Sequence, residues 1–485
     1  MEPESVELSF LRSSLTAESP VFDNSNFLSW FRECGAANAF EVRQIPFAEM
    51  DQWSFEPETQ NLVHDSGRFF RIEGLRVETN FERVGRWDQP IIHQPEVGIL
   101  GILSQRFGGV RHFLMQAKAE PGNINTLQLS PTVQATQSNY RRVHGGRAPS
   151  YLAYFTEVPD ERLLVDQLQT EQGSRFLKKR NRNLIVDVAD DHEVAVLEGF
   201  CWLTLGEIKQ LQWLENLVNM DARSVISCIP YFDREHGAAD LSEARALEGF
   251  EKALLDSLWV GDSGTLHSMK ALLSWLTKMK ARYQLRVQSI PLSEVKNWSI
   301  GESEIAHESG AHFSVIAVAV EAGKREVARW TQPLLRDPAP GLHGFITQQH
   351  AGLLHFLVQA KVEPGNLDVV DLAPTVSRSN IEQYRENPGD VPFLDRFFDP
   401  RPDEIRYSVL QSEEGGRFYQ LENRNMILEL DAAIALDLPE HFIWMSLGQL
   451  LEFLKLGHLS VDARTLLSCA SLISGVAQRA DIDPR

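Results

Sequence analysis

A lysine, a glutamate, a tyrosine and a histidine fall within one polar stretch, Gln116 to Gly146 (QAKAEPGNINTLQLSPTVQATQSNYRRVHGG). Such side chains move protons and steady developing charge. The stretch has too few large apolar residues to be core and too much turn chemistry to be one helix. Lys118 and Glu120 stand two apart at the end of a predicted strand, so they share a face. Two readings stay open for them: an ion pair closing the strand before Pro121-Gly122, or a lysine held in a pocket with the glutamate setting its orientation. Thr132, Gln134, Thr136, Ser138 and Asn139 then crowd neutral hydrogen-bonding groups together, the kind that recognise sugars, with plain loop polarity as the alternative. Tyr140 follows, and His144 precedes Gly145-Gly146, where a histidine is as readily a solvated loop residue as a catalyst. Further on, Arg175, Lys178, Lys179, Arg180 and Arg182 form a basic cluster. Alternate members share one strand face, and arginine suits bidentate phosphate contact. A solvated charged face is the alternative. Trp87, ahead of Gln89-Pro90, either stacks a base or fills core.

Much of the polar stretch returns 243 residues later as QAKVEPGNLDVVDLAPTV, Gln359 to Val376. Trp30 and Trp53 return as Trp275 and Trp298, and His64-Asp65-Ser66-Gly67 as His307-Glu308-Ser309-Gly310. Gln169, Glu171, Gly173, Arg175 and Asn181 return as Gln411, Glu413, Gly415, Arg417 and Asn423, and Asp221-Ala222-Arg223 as Asp462-Ala463-Arg464. The offset drifts slowly from 245 to 241, the mark of one duplication with small loop changes. The unit, about 200 residues, is domain-sized and too long for a solenoid repeat. The expected organisation is a mobile leader over 1–24, a first copy over 25–230, a mainly helical linker over 231–269 and a second copy over 270–475. The second copy lacks His-Gly-Gly and carries Gln420, Leu421 and Glu422 where the first has Lys178, Lys179 and Arg180. Chemistry is therefore expected in the first copy.

The elements that must position these residues are mixed. FLSWFREC and ALLSWLTKMKARY have helical spacing, whereas FFRIEGLRVET and FSVIAVAVEA read as strands. VGILGILSQRF and HFLMQAK should pair around Gly108-Gly109. TLGEIKQLQWLEN and SLGQLLEFLKLG are helices opened by a Thr or Ser cap, and each Asp-Ala-Arg opens a last helix. That is an α+β fold, two tandem homologous domains with mixed or antiparallel sheets flanked by helices, rather than the regular alternation of a doubly wound sheet.

The net charge of −20 argues against a nucleic-acid partner. The four cysteines show no metal-binding spacing and read as reduced, mostly buried thiols. The acidic start MEPESVELSF is unlike a signal peptide, and no apolar run is long enough for a bilayer, which predicts a cytoplasmic protein. There is no GxGxxG after a strand, no GxxxxGK[ST], no HExxH and no GxSxG. No metal or cofactor is expected.

HFLMQAKAEPGNINTLQLSPTVQATQSNYRRVHGG, LQTEQGSRFLKKRNRN and VNMDAR together strongly resemble the nucleotide-hexose 2,3-dehydratases of deoxysugar pathways, over nearly the whole chain. The resemblance implies two Nudix-like domains, each with a nucleotide-sugar pocket, in a homodimer. The glutamate-rich Nudix box is missing, so pyrophosphate hydrolysis and its metal are not implied. The implied substrate is a dTDP-4-keto-6-deoxyglucose-type sugar, and the implied product an unstable 3,4-diketo sugar consumed by a 3-ketoreductase. On this reading Lys118 stabilises the C4 oxyanion, and Glu120, Tyr140 and His144 are the acid–base candidates. Thr132, Gln134, Ser138 and Asn139 hold sugar hydroxyls, while Arg175, Lys179 and Arg182 bind the diphosphate. Trp87, Asn123, Thr136, Glu171 and Arg223 complete the expected substrate-binding set. The rival readings are an epimerase on the same substrate class and a non-catalytic nucleotide-sugar-binding protein.

Overall fold

Each copy is built on a seven-stranded mixed sheet. In the first, the order is Leu163–Thr170, Arg180–Asp187, Gly98–Phe107, Val110–Ala119 and Phe200–Thr204, with Leu127–Ser130 beside Val110–Ala119 and Val133–Ala135 beside Gly98–Phe107. Arg180–Asp187 runs parallel to Gly98–Phe107, and the other pairings are antiparallel. The second copy repeats this arrangement, with Gly341–His350 and Glu422–Leu430 as its parallel pair. The computed structural model describes residues 5–37, 39–81, 85–136, 149–231, 242–261, 264–323 and 327–473. Gly98–Phe107 is apolar almost throughout because both faces of the sheet are covered, one by the helix Met220–Ser227. Its hairpin with Val110–Ala119 turns on Gly108 and Gly109, at φ 57° and 81°, values that disfavour any side chain.

The two copies exchange strands. Phe40–Ile45 leaves the first copy and pairs with Ser314–Ala322 of the second, in register from Phe40↔Ala322 to Ile45↔Ala317. Reciprocally, Leu285–Ile290 pairs with Arg71–Thr79. Both five-stranded antiparallel sheets are therefore composite, and one apolar core holds Ile45, Trp53 and Phe176 together with Ile290, Phe313 and Phe418.

Loops interlock the copies further. Gly122 donates its N–H to the Gly415 carbonyl at 2.7 Å and accepts from the Gln420 N–H at 2.6 Å. Gly365 makes the mirror-image pair, donating to Gly173 at 2.6 Å and accepting from Lys178 at 2.8 Å. The repeated Pro-Gly-Asn turn is thus a clasp on the opposite copy. Arg223 and Arg464 are fully buried; Arg223 donates to the Ser412 carbonyl at 2.5 Å and Arg464 to that of Thr170 at 2.8 Å.

Where a mobile leader is expected, the chain forms the helix Val6–Leu15, with Phe10 and Leu11 wholly buried. Its Ser13 hydroxyl donates to the Arg111 carbonyl and accepts from the Leu205 N–H. The inter-copy helix Gly249–Trp259 does the same for the second copy, through Ser257, the Leu354 carbonyl and the Leu447 N–H. Residues 6–15 of the expected leader therefore form a packed helix, and their short apolar set (Phe10, Leu11) is hidden in the sequence among serines and charges. Among the described residues, no helix is long and apolar enough to cross a membrane.

Candidate active site

A cavity of about 620 Å³ opens between the large sheet of the first copy and the composite sheet fed by the second. That volume suits a nucleotide-sugar-sized ligand. The end of the strand Val110–Ala119 brings Lys118 and the following Glu120 to its wall, and Val133–Ala135 brings Gln134. Asp221 arrives on the first turn of Met220–Ser227, whose start is capped by the Asn219 side chain accepting from the Ala222 N–H. The second copy supplies Glu414, Gly416 and Arg417 from one loop and Trp330 from the strand Arg329–Arg336. Trp53, Phe69 and Phe70 make an aromatic wall, and the Arg417 guanidinium lies 4.2 Å over the Phe70 ring.

Charge is concentrated here. Lys118 Nζ lies 3.1 Å from Glu120 Oε1, which also accepts from Gln134 Nε2 at 3.0 Å. The other Glu120 oxygen is buried without a hydrogen bond. Asp221 is 3% exposed, and its carboxyl is pushed well above the usual range, first by burial and then by Glu414 and Glu120. Burial also raises the Glu414 carboxyl, against the pull of Arg417, Lys179 and Lys118. Lys179 is shifted downward by burial, and its ammonium donates to the Glu96 carbonyl. Perturbed acids and cations gathered in one cavity make it the candidate reacting site.

A family model described as NDP-hexose 2,3-dehydratase matches residues 24–229 and 269–470. The chain belongs to this family. It is 46% identical to a dTDP-4-dehydro-6-deoxy-alpha-D-glucopyranose 2,3-dehydratase of Saccharopolyspora spinosa, over 95% of this chain and 93% of the relative. Relatives of the same name from Amycolatopsis orientalis and Streptomyces violaceoruber are 44% and 42% identical, over 94% and 93% of this chain and 92% and 97% of theirs.

Of the residues expected to serve the dehydratase site, Lys118, Glu120, Thr132, Gln134, Thr136 and Lys179 line the cavity. The Thr132 hydroxyl is committed to the backbone, donating to Leu114 and accepting from Leu103. Ser138, Asn139, Tyr140 and His144 lie outside the described residues. The structure places the remaining expected residues elsewhere. Trp87 is half-buried on the composite sheet, its indole N–H on Gln89, while its counterpart Trp330 lines the cavity. Asn123 is tied within the clasp to the Thr126 carbonyl. Glu171 is buried behind the wall, accepting from Asn181 at 2.8 Å. Arg182 is paired with Asp166 at 2.7 Å on the far side of its strand, and Arg223 bolts the copies together. Arg175 crosses to the second copy and pairs with Asp337 at 3.0 Å. Strand exchange explains this last displacement: the arginine that reaches the first-copy cavity is the repeat of Arg175, namely Arg417. Asp221, Glu414, Arg417 and Trp330 escape the sequence reading, although the repeated Asp-Ala-Arg and Glu-x-Gly-x-Arg patterns were visible there.

The second copy of this dehydratase fold uses the matching groups differently. Lys361 pairs with Glu363 at 2.7 Å and donates to Ser377, which donates to Asp462 at 2.5 Å. His343, at the position of Leu100, stands 3.7 Å from Asp462 and 3.4 Å from Glu413. Asp462 is therefore held below the usual carboxylate range despite burial, by His343 and Lys361, the reverse of Asp221.

Proposed function

We propose that this protein is a dTDP-4-keto-6-deoxyglucose 2,3-dehydratase that eliminates water across C2–C3 of its sugar. One observation carries the reading: a cavity of nucleotide-sugar size holds a lysine, Lys118, oriented by a buried glutamate and surrounded by carboxyls of raised pKa. The C4 ketone acidifies the C3 hydrogen. Its removal leaves an enolate whose O4 charge is stabilised by the Lys118 ammonium. The C2–O bond then breaks, the leaving hydroxyl takes a proton and departs as water, and the C2–C3 enol tautomerises to the 3,4-diketo-2,6-dideoxy sugar. Glu120, Tyr140 and His144 are acid–base candidates from the first copy. Gln134 and Thr136 face the sugar hydroxyls.

Each copy is read here as a Nudix-like domain, which the mixed sheet with covering helices supports. The same reading includes a cytoplasmic homodimer serving deoxysugar assembly for antibiotics, with a 3-ketoreductase consuming the labile product. The test is Lys118→Ala in soluble, folded protein, assayed by loss of the keto-sugar with a trapping 3-ketoreductase. A loss of about 100-fold or more is expected from removing a donor to a developing oxyanion. Unchanged turnover rejects the role. Exchange of the C3 hydrogen by the unmodified protein without loss of the 2-hydroxyl would make it an epimerase instead.

A further inference from the structure

Two carboxyls facing the cavity, Asp221 and Glu414, have no hydrogen-bond or ion-pair partner among the described residues, and they come from different copies. Two neighbouring acids are already engaged through one oxygen each. Glu120 accepts from Lys118 and Gln134, and Glu171 from Asn181. The repeats of the two free carboxyls are also spent: Asp462 is bonded to Ser377, and the position of Glu414 is occupied in the first copy by Gln172, which donates to Glu413 at 2.8 Å. The loop carrying Glu414 is fixed from the first copy by the Gly122 clasp. Within it, a side chain at Gly416 would begin 3.2 Å from Glu414 Oε1 and 3.7 Å from Glu120 Oε1, so the bare glycine lets these carboxylates share one wall.

The same loop carries a cation. Arg175, its repeat, is neutralised by Asp337. At the position of Asp337 the first copy has Gln94, a neutral acceptor 3.2 Å from Arg417 Nη2. Arg417 thus has no carboxylate at ion-pair distance among the described residues, which leaves its guanidinium available to a ligand anion.

We propose that the second copy completes the active site of the first: Glu414 is the base that takes the C3 proton, Asp221 is the acid for the departing hydroxyl, and Arg417 binds the diphosphate. This rests on the dehydratase reading above. Burial raises both carboxyls; Arg417, Lys179 and Lys118 pull Glu414 back toward its charged form, whereas Glu414, Glu120 and Glu171 push Asp221 further toward its protonated form. The C3–H electron pair becomes the C3–C4 enolate π bond and the proton passes to Glu414. The enolate then expels the C2 oxygen, which takes the Asp221 proton and leaves as water. The C3 hydroxyl proton is lost as the ketone forms, and C2 gains a proton. The counts balance with no oxidant or reductant.

Glu414→Gln, Asp221→Asn and Arg417→Met test this in the full-length protein. Glu414→Gln copies the residue found at Gln172, so the fold is expected to accept it, and Glu414→Asp provides a second variant. Expected for Glu414→Gln is a 10²- to 10⁴-fold fall in kcat, with dTDP affinity by calorimetry within about twofold of the parent. C3 deuterium wash-in from D2O should vanish with it. Asp221→Asn should lose turnover but keep C3 wash-in, because enolate formation precedes the acid's role. Arg417→Met should weaken dTDP binding by about 10- to 100-fold, as expected for a charge-assisted phosphate contact. Glu414→Gln turning over within twofold of the parent overturns the proposal. So does a loss of dTDP binding and thermal stability that matches the loss of kcat in both Glu414 variants, which would make the residue structural. Failure of the unmodified protein to convert the keto-sugar would instead sink the dehydratase reading.

Discussion

Replacing Gly122 with alanine would place a methyl group 1.6 Å from the carbonyl oxygen of Phe418 and 2.7 Å from that of Gly415. Real side chains keep about 3 Å from such atoms, so one loop must retreat by more than an ångström. The two backbone bonds of the clasp, Gly122 to Gly415 and Gln420 to Gly122, cannot survive that movement. Each contributes about 0.5–1.5 kcal/mol net, and a buried donor left without a partner costs about 1–3 kcal/mol. The expected destabilisation is therefore about 2–6 kcal/mol, read as a lower urea midpoint. Because the displaced loop carries Glu414 and Arg417, kcat should fall by about 10²-fold as well. Gly365→Ala makes the same clash, 1.7 Å from the Phe176 carbonyl, but moves the loop of Arg175. It should match the loss of stability with a much smaller effect on kcat. Gly389→Ala, with nothing within 4 Å, is the neutral control. A Gly122→Ala protein with the parent's midpoint and kcat would refute the claim that the clasp holds the site together.

Three further outcomes are expected. Burial raises the Glu73 carboxyl, but hydrogen bonds from His93 and from Ser289 of the exchanged strand outweigh it and hold its pKa at about 2. The folded value lies below the unfolded one, so about 3 kcal/mol of stability is present above pH ~4.5 and is lost as pH falls toward 2. Glu73→Gln should flatten that part of an acid-denaturation profile. Burial lowers the Lys209 pKa to about 8, and its ammonium donates to the Ser468 and Ala470 carbonyls. Between pH 8 and about 10.5 the unfolded chain holds a proton that the folded protein has released, so stability should rise with pH there, a rise absent in Lys209→Met. Leu100→His would recreate beside Asp221 the imidazole that His343 presents to Asp462. It should leave the protein folded and lower kcat by at least about tenfold, because an acid given a cationic partner loses the proton it must donate; unchanged kcat would count against Asp221 as the acid.

Local pattern was enough to expose the duplication, the α+β class, the strand and helix types and one working wall of the cavity. Lys118, Glu120 and Gln134 were visible because alternation along a strand and the strand's end are properties of neighbouring residues. The caps were readable for the same reason: Thr204 and Ser446 open their helices with side-chain bonds spanning three residues. Pairing between distant segments was not readable. Phe40–Ile45 and Leu285–Ile290 have nearly the same pattern, and alternation alone cannot say which sheet accepts which strand. That choice decided the rest. Once the strands are exchanged and each Pro-Gly-Asn turn clasps the other copy, Arg175 faces Asp337 and Arg417 faces the cavity. The amino-acid types at the site were thus set by the sequence, but which copy each one serves is a property of tertiary pairing, because contact energies between distant segments are realised only after the chain has chosen its partners.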